Sequence, residues 1–255
     1  MIKAKLTAAA IHLAISATVV GCFIAFALNV WYPEPFFNIS GLLGIILMLV
    51  TVDVILGPLL TLVVFKPQKS TLKLDLTVIA IVQMIALGYG INTIYQAHPL
   101  YIAYAGDRFT PIYANEVSPS EAKYTELQKS KLSSPSIVYV KKPSNPAEMS
   151  RIITETLSGK ADIDARPEYY HPANQHISDI LAGGINPDKL LSSTQNQQKL
   201  DQFLKKYGKT ITDYAFIPLA GKKDDVLWAW DRTNNKPVGV LAINPWLLGQ
   251  VAAAK

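Results

Sequence analysis

A carboxylate in the middle of an apolar run is the first side chain in this sequence placed to do chemistry. Asp53 is the only charged residue between Ile39 and Phe65. An ionised carboxylate at a bilayer centre costs at least ~2.5–3.5 kcal/mol, so Asp53 should be protonated, face other helices, or meet a partner. Gln83 lies at a similar depth in the next apolar run. An Asp53–Gln83 interhelical hydrogen bond, worth about 0.6–1.7 kcal/mol, is the first expectation. The second is that Asp53 recognises the transmembrane helix of another protein. A proton or ion path ranks last, because three helices with one acid make a poor conduit. Gly57-Pro58 follows Asp53 by one turn; the proline removes a backbone hydrogen bond and the glycine admits a close neighbour. Gly41, Gly44, Gly88 and Gly90 add small residues suited to helix packing. His12 reads as a residue satisfied inside the bundle. Cys22, the lone cysteine, reads as a small apolar side chain, and one cysteine rules out an internal disulfide, a CxxC redox site and a cysteine zinc site.

The second half of the chain offers weaker candidates. His171 and His176 stand five apart beside prolines, and Asp162 and Asp164 precede a proline-containing loop. No helical spacing joins them, so a polar surface loop is expected and no metal site is assigned. Asp224-Asp225 reads as a turn. There is no G-x-S-x-G, phosphate-binding loop or H-E-x-x-H pattern. No catalytic residue, cofactor or small-molecule substrate is therefore assigned. Trp228 and Trp230 alternate on a predicted strand and so share a face. They belong in the core if that face is covered, and form a protein-binding anchor if it is open.

The elements that must position these residues fall into two regimes. Residues 1–97 form a predicted membrane all-α module of three transmembrane helices, and residues 98–255 a separate α+β domain. The apolar stretches run Leu6–Val30, Ile39–Phe65 and Leu74–Tyr95, each long enough to cross ~30 Å of hydrocarbon. The first is too long for a signal-peptide core of ~7–15 residues, so it reads as an uncleaved anchor among lipids. Lys3, Lys5, Lys66, Lys69 and Lys73 all fall on one side, and the loop between the first two stretches carries Glu34 and no basic residue. The positive-inside rule makes the lysine side cytoplasmic, so the N-terminus is inside and the C-terminal domain outside. Trp31, Tyr32 and Tyr95 mark the outer boundary, and Pro33 and Pro35 stiffen the outer turn. Much of the net charge of +5 is thus a topology signal, and no basic run interleaved with aromatics suggests nucleic acid.

In the outer domain, Leu100–Ala105 and Phe109–Ala114 read as a hairpin about Gly106-Asp107-Arg108. A helix is expected over Ser118–Lys131, a strand over Ile137–Lys141, and a helix from Asn145 to Gly159. Residues 160–193 read as a long surface excursion with one helical turn near Ile177–Leu181. A helix over Gln195–Tyr207 closes at Gly208. Tyr214–Ala220, Val226–Arg232 and Pro237–Ile243 form an antiparallel C-terminal meander.

The run from Asp53-Val54-Ile55-Leu56-Gly57-Pro58 to Phe65-Lys66 resembles the signature of type IV pilin accessory proteins of the TfpX/TfpZ/FimB kind. Lys73-Leu74-Asp75-Leu76, Gln83, Ala86-Leu87-Gly88-Tyr89-Gly90, and Pro99 leading to Asp107-Arg108-Phe109 extend the resemblance. Where many members place an arginine before that proline, this chain has His98. The resemblance implies a Gram-negative inner-membrane protein with a periplasmic C-terminal domain, a major type IV pilin as partner, a role in assembling that pilin into pili, and no enzymatic activity. Asp53, Gly57, Pro58, Gln83, Tyr89, Trp228 and Trp230 are the partner-binding candidates. A membrane-anchored enzyme modifying the cell envelope is the alternative, and it lacks a convergent nucleophile, acid–base pair or metal site.

Overall fold

The computed structural model describes residues 2–191 and 193–248. Among the described residues three helices are long and apolar enough to cross a membrane: Ile2–Trp31, Leu43–Val64 and Leu72–Gln96, the first, second and third spans. The described residues divide into two compact units, the first lying within residues 1–31 and 42–98, the second within residues 32–41 and 99–255.

In the first unit, the outer two spans both pack along the second. His12 Nδ1 and Thr61 Oγ1 join the first and second spans at 2.6 Å, and Lys5 Nζ donates to the Val63 carbonyl at 3.1 Å. Leu49 of the second span lies where a Cβ on Gly90 would sit, 2.8 Å from its Cδ1, so the missing side chain is what lets the third span close on it. Gly44 and Gly88 face open space and do not serve packing. Trp31 stacks on His98 and packs against Tyr95, with ring centroids 5.0 and 5.6 Å away.

The second unit is built on a seven-stranded sheet ordered β4-β3-β1-β2-β5-β6-β7. The strands are β1 Pro99–Tyr104, β2 Phe109–Tyr113, β3 Ser136–Val140, β4 Tyr170–Pro172, β5 Tyr214–Leu219, β6 Val226–Asp231 and β7 Lys236–Leu241. β5, β6 and β7 pair antiparallel, as the predicted meander requires, while β1–β3 and β2–β5 run parallel. β1, β5 and β6 are buried on both faces, which explains their nearly continuous apolar sequences. The unit also holds helices α1 Pro146–Leu157, α2 Ile177–Ala182 and α3 Thr194–Tyr207, of which α2 packs on β5 and α3 on β7. Asn145 caps α1 by accepting from Ala147 N, and Gly208 ends α3 in the left-handed region at φ +74°. One face of the sheet carries Tyr104, Phe109, Trp228 and Trp230 under Phe36, Ile39 and Ile180. On the opposite face Leu200 and Phe203 of α3 cover Tyr214, Phe216, Leu227 and Ala229.

Three expectations change. The segment Tyr32–Gly41 is more than a turn between spans: Phe36 packs edge-on against Trp228 at 5.7 Å, and the Ile39 carbonyl accepts from Lys223 N at 2.9 Å. Ile39 therefore belongs to the core of the α+β domain rather than to the second span. The helix expected over Ser118–Lys131 is two single turns, Pro119–Glu121 and Thr125–Leu127. Ser118 makes no capping bond, and Ala122 turns extended to bury its methyl group. Tyr101 Oη then donates to the Leu127 carbonyl, so tertiary contacts override helix propensity. Residues 160–193 are no surface excursion, since Tyr170, Ile180 and Leu190 are fully buried and β4 extends the sheet.

Candidate functional site

The second span is not a plain α-helix where Asp53 sits. Thr51–Leu56 forms a π-helical turn, and Gly57 N donates five residues back to the Val52 carbonyl. In that register the donor to the next carbonyl, that of Asp53, would be residue 58. Residue 58 is proline and has no N–H, so the Asp53 carbonyl loses its partner within the helix. Gln83 of the third span supplies one: its Nε2 donates to Asp53 O at 3.0 Å. The expected Asp53–Gln83 bond thus exists, but to the main chain and not the carboxyl group. Gly57 makes room for it, because a Cβ there would lie 2.0 Å from Gln83 Nε2. Gly57, Pro58, Gln83 and the Asp53 main chain act as one device that satisfies a freed carbonyl inside hydrocarbon.

The Asp53 side chain is buried, and its Oδ2 has no hydrogen-bond partner among the described residues. It lines a groove of about 190 Å³ together with His12, Ser16, Gln83 and apolar neighbours. Tyr89 is 70% exposed on the third span, away from that groove's lining.

Trp228 and Trp230 lie in the sheet core at 4% and 2% exposure. Trp230 stacks on Phe109 at 5.4 Å with the rings nearly parallel, and Phe36 covers Trp228. Their strand face is closed, so they pack the domain and do not form an exposed anchor. His171 and His176 do come together, with ring centroids 5.5 Å apart, because β4 feeds directly into the turn before α2. Tyr124 Oη meets His171 Nδ1 at 3.1 Å, and Asp179 meets His176 Nδ1 at 3.3 Å. Burial, with Lys141 and His176 close by, pushes the His171 pKa down and favours its neutral form. Among the described residues no group of three or more His, Cys, Asp or Glu is arranged to hold a metal.

One cluster escaped sequence reading. Glu155 pairs with Arg166 at 2.7 Å, Arg151 at 3.1 Å and Lys160 at 3.5 Å, and Arg166 foremost holds its carboxyl down to about 2. The four-residue Arg151–Glu155 spacing is a signal that could have found one pair; Arg166 arrives from a loop and left no local pattern.

Three spans carrying a polar intramembrane site, joined to an α+β domain, define a membrane-anchored protein of two parts. The family profile described as Fimbrial assembly protein FimB matches residues 1–41. The fimbrial assembly protein of serogroups C1 and C2 from Dichelobacter nodosus is 33% identical over 99 residues, covering 38% of this chain and 76% of the relative. The serogroup I protein of the same organism is 24% identical over 219 residues, covering 84% of this chain and 85% of the relative. No solved structure matches the chain. The chain belongs to the fimbrial assembly protein family, and its role lies in pilus assembly.

Proposed function

We propose that this protein is an inner-membrane accessory factor that binds a cognate major type IV pilin and promotes its assembly into pili. Its N-terminus is cytoplasmic and its α+β domain periplasmic, a reading that the lysines at positions 3, 5, 66, 69 and 73 support. The observation that carries this reading is the extent of the similarity. A fimbrial assembly protein aligns over 84% of the chain, so the likeness runs through both the spans and the domain. A pilin before extraction has a membrane helix and an outer head, and a protein with parts in both compartments can hold it at two points. Asp53, Gly57, Pro58, Gln83 and Tyr89 form the membrane side of this contact, with Gly57 and Pro58 acting through the geometry of the second span. Deleting the gene while leaving the pilin gene intact tests the reading. Surface pili should fall sharply while the pilin remains in the membrane, and this chain supplied in trans should restore them. Normal piliation without it would refute the function.

A further inference from the structure

The first and third spans pack on the second and make no comparable contact with each other. Between them lies the groove of about 190 Å³, floored by the second span. His12 and Ser16 line it from one side, Ala80 and Gln83 from the other, and Asp53 from below. Asp53 is 96% buried, being 4% exposed, yet its Oδ2 meets no donor or acceptor among the described residues. Two of the polar groups beside it are engaged elsewhere: Gln83 Nε2 with the Asp53 carbonyl, His12 Nδ1 with Thr61. Hydrocarbon cannot satisfy a carboxyl oxygen, so a lipid tail would fill the volume and leave the polar group orphaned. The π-helical turn at Thr51–Leu56 is an independent mark, since such turns concentrate at functional sites. A carboxyl without a cation in hydrocarbon stays protonated, and a carboxylic acid both donates and accepts. It therefore suits an uncharged hydroxyl, amide or carboxyl. The volume takes a side chain, not a whole helix, so the occupant lies across the groove and inserts one residue.

We propose that the groove receives the transmembrane helix of the pilin, which places an uncharged hydrogen-bonding side chain against Asp53 Oδ2 and completes a four-helix array. The inference rests on the pilin-accessory reading above. Its test uses the full-length chain in native membranes, with a photo-crosslinking residue at Met84 on the groove or at Val63, which is exposed but does not line it. Crosslinks to the pilin should form from Met84 and not from Val63. Ala80→Trp fills the groove from an exposed position, and should abolish the Met84 crosslink at normal protein abundance. Asp53→Leu should lower the yield about three- to fifteen-fold, while Asp53→Asn, which keeps a hydrogen-bonding group, should hold it within about twofold. Crosslinks from Met84 only to lipid or to a second copy of this chain, or a yield unchanged by Ala80→Trp, would overturn the groove as the docking site. If the pilin still co-purifies in that case, the accessory reading stands and contact runs elsewhere. A pilin that neither crosslinks nor co-purifies refutes both.

Discussion

Replacing Gly57 with alanine places a methyl carbon 2.0 Å from Gln83 Nε2 and 2.5 Å from its Cδ. Those atoms end a flexible side chain, so Gln83 must swing away and give up its bond to the Asp53 carbonyl. Leaving that buried acceptor unsatisfied costs about 1–3 kcal/mol. Against this, alanine in place of glycine in a helix interior contributes about 0.5–1 kcal/mol. The net effect of Gly57→Ala is a destabilisation of about 0–2.5 kcal/mol. In a Gln83→Ala background the bond is already gone and the clash has no partner. Gly57→Ala should then stabilise by about 0.5–1 kcal/mol, which reverses the sign. The two effects differ by the coupling between the sites, about 1–3 kcal/mol. Unfolding of the four proteins by sodium dodecyl sulfate in mixed micelles, followed by far-ultraviolet circular dichroism, measures this coupling. Equal shifts in both backgrounds, within ~0.5 kcal/mol, would refute the claim that glycine exists to admit the glutamine.

Phe36→Ala removes a ring that is 6% exposed and packed on Trp228, so it should destabilise the α+β domain by about 3–5 kcal/mol and red-shift its tryptophan emission; a neutral effect would return Tyr32–Gly41 to the status of a linker. The Asp231 carboxyl is held down to about 2, first by Lys209 at 2.6 Å, then by the N–H groups of Thr233 and Asn234. A pKa below its unfolded value stabilises the fold above about pH 4 and loses that contribution as pH falls towards 2, so Asp231→Asn should flatten the acid side of the stability curve; an unchanged slope contradicts this. A phosphatase reporter active only in the periplasm should work when fused after Leu100 and fail when fused at Gln68; activity at Gln68 overturns the orientation.

Composition made the three spans legible, and six of the seven strands fall within one or two residues of their expected bounds. Apolar runs and turn residues such as Gly106 and Asn235 carry that information locally. What escaped depends on distant partners. β4 has only three residues, too few for alternation to show, and forms because β3 offers it an edge. Ile39 adjoins a long apolar run, so hydropathy assigns it to the membrane, although its neighbours are sheet residues. At the intramembrane site the sequence singled out Asp53, Gly57, Pro58 and Gln83, which the structure brings together. It could not show that the proline frees a main-chain carbonyl for the glutamine, because that depends on the five-residue register of the turn.

In the proposed function this protein holds a pilin in the membrane. Affinity purification of the tagged full-length chain from detergent-solubilised membranes of piliated cells tests it most directly. The major pilin should co-purify, and Ala80→Trp should deplete it while the chain itself is recovered in full. A pilin abundant in the starting membranes but absent from the purified chain would contradict the account.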